Sequence, residues 1–459
     1  MDIFAAMNNV NKSESQALAP VLMVSAIASG QGKTSTTAAI ARRFVRAGKR
    51  VRVFKTGADF IDPMMLERAC GAPVFSLDLW LLGLPACRAL LQQAAREADL
   101  VLIEGVMGLY DGQPSSADLA NAFGVPVLAV VDASAMAQTV GAVVLGLRDF
   151  GPVALAGVIA NRVASEGHVT MIRNALREIP LLGSLAKQSH SLPERHLGLV
   201  LPAEQNSIED MLDQLATSLA LDETLWSQLS AANLVSELAD AEQPPLPQHL
   251  QGRQIAIAKD AAFAFVYPAN IACLEQMGAR VVYFSPLNDE AIPEHTDALY
   301  LPGGYPELHA TRLTNAQKWL ASLHAFHGAH KPIYAECGGM MSLAECLVDA
   351  DGNEHAMAGL LPGTMRMQKR LTALGMQRLP FGLESDESAM LRGHTFHYSR
   401  FETSLQPVRH CLRQKGEEQG EAVYQRGSLI ATYFHAYFPS QPARAASLFL
   451  ESVFLSEAL

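Results

Sequence analysis

Five short runs in the first two hundred residues are apolar along their length rather than alternating: VLMVSAI (21–27), RVRVFKT (50–56), DLVLIEG (99–105), VPVLAVVDA (125–133) and ALAGVIAN (154–161). A strand with one wet face alternates apolar and polar residues. A strand covered on both faces does not, so these runs read as buried parallel strands. Helical spacing between them implies βαβ units and a doubly wound sheet. The pattern lapses at 236–253, ELADAEQPPLPQHLQGRQ, where proline, glutamine and charge without periodicity mark a linker. A second alternation follows. It comprises QIAIA (254–258), a helix near 268–278, RVVYFS (280–285), ALYLPGG (298–304), a helix near 314–328 and KPIYAE (331–336). Beyond about residue 392 the chain reads as more strand than helix. The expected organisation is α/β with two domains: a flexible extension over 1–20, a first domain over 21–235, the linker, and a second domain over 254–459.

SAIASGQGKTS leaves the first strand and opens a helix, the setting of a phosphate-binding loop. Backbone N–H groups of the Gly30–Gly32 turn and the helix N-terminus are expected to face phosphate oxygens. Lys33 supplies a point charge and the Thr34 hydroxyl a ligand for Mg²⁺. The first glycine of the usual motif is replaced by Ala26 or Ile27. A hard cation takes a second oxygen anchor, and Glu104, ending an apolar strand, is placed to give it. Asp111 lies in EGVMGLYDG, and Asp59 and Asp62 lie in KTGADFIDP. Three loops thus bring acids to the carboxyl edge of one sheet, where α/β folds bind ligands. For Asp62, an N-cap ahead of Pro63 is an equal alternative.

IYAECGGMMSL places Cys337 between a strand and a segment, GGMMSLAECL, that reads as a helix. This is the elbow logic of strand–nucleophile–helix enzymes. A free thiol is only ~3% thiolate at neutral pH; the helix N-terminus and a nearby imidazolium are expected to lower its pKa. The histidine must come through the fold, and His435, in ATYFHAYF, is the candidate. The Gly-Gly loop of LPGGYPE, through Gly304, could pair its N–H with that of Gly338 as an oxyanion hole. His324, His327 and His330 read as a solvated helix face rather than a metal site. His394 and His397 read as facing one side of a strand, with a place in a pocket left open.

A net charge of −11, with no long Lys/Arg run, argues against nucleic acid or an anionic membrane as partner, since both demand clustered positive charge. Six cysteines without a CxxC pair are a reduced, cytoplasmic usage. No apolar run approaches the ~20 residues of a membrane span.

GQGKTS, KTGADFIDP, LIEGVMGLYDG, GVIANRV, LPERHLGLV, LYLPGGYPELHA, IYAECGGMMSL and RGHTFHYS occur in this order over nearly the whole chain. Together they closely resemble the cobyrinate or hydrogenobyrinate a,c-diamide synthases of cobalamin biosynthesis. The first half is also similar to dethiobiotin synthetase and the second to class I glutamine amidotransferases. The resemblance implies an N-terminal P-loop domain with a doubly wound, mostly parallel sheet, and a C-terminal class I amidotransferase-like α/β domain. It implies ATP- and Mg²⁺-dependent conversion of the a and c acetate side chains of a corrin to acyl phosphates, then to amides with nitrogen from glutamine.

On that resemblance Lys33, Thr34, Ser35 and Glu104 handle phosphate and metal. Asp59 lies near the metal and, with Asp62 and Asp111, near the activated carboxylate. Asn161 resembles the position that reads the nucleotide base, and Cys337 with His435 as its base releases ammonia. Residue 437, two past the histidine, is tyrosine where many class I amidotransferases have glutamate, so the imidazole must be oriented by something else. The implied partners are small molecules, corrin acid, ATP and L-glutamine, and a homodimer is left open. Two alternatives stay open: the same chemistry on another tetrapyrrole (nickel-sirohydrochlorin, or as a cobyric acid synthase), and a ParA/MinD-like ATPase switch.

Overall fold

The computed structural model describes residues 18–188, 208–229, 245–382, 389–415 and 418–450. Most of the proposed N-terminal extension, the first part of the linker and the motif LPERHLGLV lie outside the described residues. All five expected strands of the first half form. They are β1 (Val21–Ala26), β2 (Val51–Thr56), β4 (Leu100–Glu104), β5 (Val127–Asp132) and β6 (Leu155–Val163). Three that the pattern did not single out join them: β3 (Phe75–Leu77), β7 (Leu181–Ala186) and β8 (Leu219–Leu221). The sheet order is β3-β2-β4-β1-β5-β6-β7-β8, parallel throughout except for β8 against β7.

Burial on both faces explains the unbroken apolar runs. Leu22, Val24 and Ala26 pack into one core with Leu100 and Leu102. Val21 and Met23 point the other way, into a second core with Val101 and Ile103. Successive strand residues face opposite sides, so a strand sandwiched between helix layers has no polar side to spare.

The second sheet has ten strands. Its parallel part is β9 (Gln254–Ala258), β10 (Arg280–Phe284), β11 (Ala298–Leu301) and β12 (Ile333–Glu336), followed by Leu429–Thr432 beside β12. Antiparallel strands extend it as far as Leu391–His397, which pairs with the two-residue strand His435–Ala436. His435 follows Thr432 by only three positions, so the far end of the sheet curls back over its middle. A separate four-stranded sheet contains Ala344–Val348.

Two expectations change here. The segment after Cys337 is helical only over Gly338–Met341, and Ala344–Val348 is a strand. Small residues pack the elbow, and the β-compatible AECLV enters the small sheet instead. The described end of the presumed linker, 245–253, also packs onto the second sheet. Leu250 is fully buried in its core beside Met277, and its N–H bonds the Met277 carbonyl at 2.9 Å.

The carboxyl ends of both parallel sheets meet. Leu81, Tyr267, Ala269 and Tyr437 form a buried cluster with Phe60, Trp80 and Met376 packed on it. The Arg392 guanidinium donates to the Trp80 carbonyl at 2.6 Å. No helix among the described residues is long and apolar enough to cross a membrane, and all six cysteines are free thiols.

Candidate active site

The phosphate loop bends through left-handed backbone at Gly30 (φ 75°) and Gly32 (φ 84°) and launches α1 (Lys33–Arg46). Lys33 is buried and donates to the carbonyls of Ala28 at 3.1 Å and Met107 at 2.5 Å. It thereby ties the loop to the turn after β4. Ser35 stands in the first turn of α1. Asn161, near the end of β6, donates its amide to the Gln31 carbonyl at 2.9 Å, and its Oδ1 accepts from the Arg162 N–H at 2.9 Å. A Cβ on Gly32 would come within 2.1 Å of the Asn161 amide nitrogen. The observed role of Asn161 is to brace the loop.

Behind the loop lies a buried charge cluster. The Thr34 hydroxyl donates to Glu104 Oε1 at 2.8 Å. Lys55, on β2, donates to the same oxygen at 2.7 Å and to Asp62 at 2.8 Å, with Asp59 3.9 Å away. Burial opposes the Lys55 charge, but Glu104 and Asp62 outweigh it and raise its pKa. Burial also raises Glu104, against the pull of Lys55. Lys55 was missed in the sequence, where the lysine of KTGADF looks like one more strand residue; only the acids on both sides hint at it.

Asp62 sits in the first turn of α2 (Ile61–Cys70) with its carboxylate on Lys55, so it is not the helix cap. Asp59 Oδ1 accepts from the Ile61 N–H at 3.0 Å. Asp111, on the exposed loop after β4, accepts from the Gly108 N–H at 3.1 Å.

The donor set suits a hard cation. Thr34 and Glu104 offer the oxygen donors a hard cation takes, and Glu104 Oε2 is buried without a hydrogen-bond partner. Among the described residues no three acidic, imidazole or thiol groups form a metal cage, so beyond Thr34, Glu104 and the nearby Asp59 the ligands of such a cation would be phosphate oxygens and water.

On the second sheet, Cys337 has φ 44° and ψ −106°, a strained elbow conformation for a side chain with a Cβ. Two hydrogen bonds hold it: its N–H to the Thr432 carbonyl at 2.8 Å, and the Met341 N–H to its own carbonyl at 2.8 Å. His435 follows the adjacent strand, which pairs Thr432 with Glu336. The topology therefore brings both residues to one edge. A Cβ on Gly338 would lie 2.8 Å from the Gly304 nitrogen, so the elbow and the Gly-Gly loop abut as an oxyanion hole requires. A Cβ on Gly303 would strike the His435 ring at 2.4 Å.

The expected low thiol pKa is not found. Burial first, then the charge of Glu307, push Cys337 up. The four-residue helix offers little dipole, and burial pushes His435 down to about 3, leaving it neutral.

His394 and His397 do not share a face. Three positions apart, they point to opposite sides of the pleat. His394 stacks on His435 at 5.0 Å, and its Nδ1 meets the Tyr267 hydroxyl at 3.0 Å. His397 Nε2 lies 3.1 Å from Glu421, which Thr395 also contacts. A further unforeseen residue is Phe60, between Asp59 and Asp62. Its ring lies 4.5 Å from Tyr267, 5.2 Å from Phe265, 5.4 Å from His394 and 5.1 Å from His435.

An elbow thiol with a neighbouring amide-lined loop, joined to a phosphate-loop domain, defines a glutamine amidotransferase fused to a nucleotide-binding unit. Residues 254–443 match the CobB/CobQ-like glutamine amidotransferase domain, and residues 22–200 match the CobQ/CobB/MinD/ParA nucleotide binding domain. A cobyrinate a,c-diamide synthase of Herminiimonas arsenicoxydans is 55% identical over 94% of this chain and 97% of its own. Hydrogenobyrinate a,c-diamide synthases of Pseudomonas aeruginosa and Stutzerimonas stutzeri are 48% and 49% identical, each over 94% of this chain and 98% of their own. The chain belongs to the cobyrinate and hydrogenobyrinate a,c-diamide synthase family, whose members are amidoligases with a glutamine amidotransferase domain.

Gly32→Ala should weaken nucleotide binding at least ~10-fold. It combines a left-handed backbone, costing about 1–2 kcal/mol for a residue with a Cβ, with a collision against Asn161. Titration calorimetry with ATP checks this; unchanged affinity would mean nucleotide does not use this loop.

Proposed function

We propose that the protein amidates the a and c acetate carboxylates of a corrin, cobyrinate or hydrogenobyrinate, using ATP, Mg²⁺ and L-glutamine. Residues 21–235 act as the synthetase and 254–459 as the glutaminase, in the cytoplasm. The observation that carries this reading is the contact of Phe60 with His435. The segment bearing Asp59 and Asp62 is the wall of the glutaminase chamber.

In this reading His435 takes the thiol proton of Cys337, and sulfur attacks the glutamine carboxamide carbon. The N–H groups of Gly304 and Gly338 hold the oxyanion, ammonia leaves, and water later cleaves the thioester. Across the wall, Lys33, Ser35 and the loop N–H groups hold the ATP phosphates. Asn161, through Gln31, keeps the loop in shape beside the base. A substrate carboxylate displaces ADP from the γ-phosphate, giving an acyl phosphate that ammonia attacks with loss of phosphate. Lys55 and Asp62 face that carboxylate, with Asp111 at the rim. Mg²⁺ held by Thr34, Glu104 and Asp59 would offset phosphate charge. The partners of this reading are small molecules: corrin acid, ATP and L-glutamine.

Cys337→Ala should abolish glutamine-dependent synthesis yet retain synthesis from ammonium salts. Counting amides by mass after incubation with each macrocycle identifies the acceptor; no product from either nitrogen source would contradict this division of labour. Phe60→Ala should leave both half-reactions active but lower amide formed per glutamine hydrolysed several-fold. A stoichiometry unchanged from the parent would remove Phe60 from the path of ammonia.

A further inference from the structure

The amidotransferase pair lacks an acid two residues beyond its histidine, since Tyr437 occupies that place and is turned into the interdomain cluster against Tyr267. An imidazole that must accept a thiol proton at one nitrogen needs its proton fixed on the other. His435 Nδ1 is buried and has no hydrogen-bond partner. The nearest carboxylate oxygen to it is Oε2 of Glu336, at 3.8 Å, and both side chains are almost wholly buried. Glu336 is the residue immediately before the nucleophile, at the end of β12.

The Glu336 carboxylate is itself held in place. Tyr300, on the neighbouring strand, donates its hydroxyl to Oε2 at 2.8 Å, and the Ala436 N–H donates to Oε1 at 2.9 Å. The Ala436 bond also fixes the backbone next to His435. Asn270 fixes that backbone independently, donating to the Ala436 carbonyl and accepting from the Phe438 N–H, each at 2.8 Å. Loop position and imidazole orientation thus have separable supports.

We propose that Glu336 is the positioning residue of the glutaminase: its carboxylate keeps the proton of His435 on Nδ1 and leaves Nε2 to accept the proton of Cys337. The proposal rests on the reading of Cys337 and His435 as the reacting pair. It assigns the orienting role to the strand that carries the nucleophile rather than to the loop that carries the histidine. When the imidazole takes the thiol proton it becomes a buried cation, and an ionised Glu336 beside it offsets that charge.

Burial pushes Glu336 up to about 7, with the Ala436 N–H and the Tyr300 and Tyr334 hydroxyls acting in the other direction. Other titratable groups face the pair. His397 and Glu421 act on His435 in opposite directions, His394 and Tyr267 lie against its ring, and Glu307 faces the thiol. Glu336 is the one among them directed at Nδ1. Being an acid with a raised pKa, it is ionised above about pH 7 and neutral below, so glutamine hydrolysis should rise with pH through that region.

The test is glutamate release by the full chain from pH 5.5 to 9, with ammonium-supported amide synthesis as the measure of intact fold. Glu336→Gln keeps an oxygen for the Ala436 N–H but cannot ionise. It should lower kcat by about 10²-fold with KM little changed, and it should erase the rise through pH 7. Glu336→Asp should recover part of both. Tyr300→Phe removes one donor to the carboxylate and should move the midpoint of the rise upward. It decides the matter if Glu336→Gln loses ammonium-supported synthesis as well. A Glu336→Gln profile with the parent's rise and kcat within about threefold would overturn the proposal, as would an unmoved midpoint in Tyr300→Phe. His435→Asn separates the two readings: retained glutaminase activity there would refute His435 as the base, whatever Glu336 does.

Discussion

Phe60 lies against the rings of Tyr267, His394 and His435, and its two near neighbours in sequence, Asp59 and Asp62, turn back toward Lys55 and the phosphate loop. One aromatic side chain of the first domain is therefore packed against the imidazole of the second, next in sequence to acids that face Lys55. Ammonia in neutral water is mostly protonated and cannot attack an acyl phosphate. A site that releases it unprotonated gains only if the acceptor is close and water is kept out, which turns an encounter in solution into a delivery. The meeting of two carboxyl edges provides that closeness. Parallel sheets present their reactive loops at those edges, and facing edges bring both chemistries to one seam.

The two chambers handle buried charge in opposite ways. Around Lys55 the groups are paired: one ammonium contacts Glu104 and Asp62, and the Thr34 hydroxyl donates to the Glu104 oxygen that Lys55 also reaches. Removing one member of such a cluster leaves a buried charge uncompensated, at a cost of ~3–5 kcal/mol. Around His435 burial instead drives the groups toward neutrality. The imidazole and the thiol both rest uncharged, and Glu336 is poised near its midpoint. The synthetase cluster, which must meet an anion-rich nucleotide, keeps its ammonium charged.

Much of this was legible in the sequence wherever the signal is local. Unbroken apolar runs gave five strands of the first sheet because burial on both faces leaves a mark on every residue. GQGKTS and the strand–Cys337–Gly-Gly turn were legible because each demands particular backbone conformations at fixed spacing. The residues that escaped are those whose meaning lies in a partner far away in the chain. Lys55 looks like an interruption in β2 until Glu104 is set beside it by strand pairing. Glu336 looks like the polar end of a strand until the sheet curls back and sets His435 over it. Phe60 looks like a helix-start residue until the second domain is docked. The short helix after Cys337 misled for a related reason. MMSLAECL has helical spacing, yet the small sheet claims Ala344–Val348 through pairing that no local window contains.

The central claim is that nitrogen passes from the glutaminase to the primed carboxylate without mixing with solvent. The direct measurement is synthesis with glutamine labelled with ¹⁵N in its amide, in the presence of a large excess of unlabelled ammonium, followed by mass analysis of the product amides. Delivery across the Phe60 seam requires the new amides to carry the label in far greater proportion than the bulk ammonium would dictate. Label diluted to the ratio in solution would contradict it, and the contact between the two chambers would then have no part in the transfer.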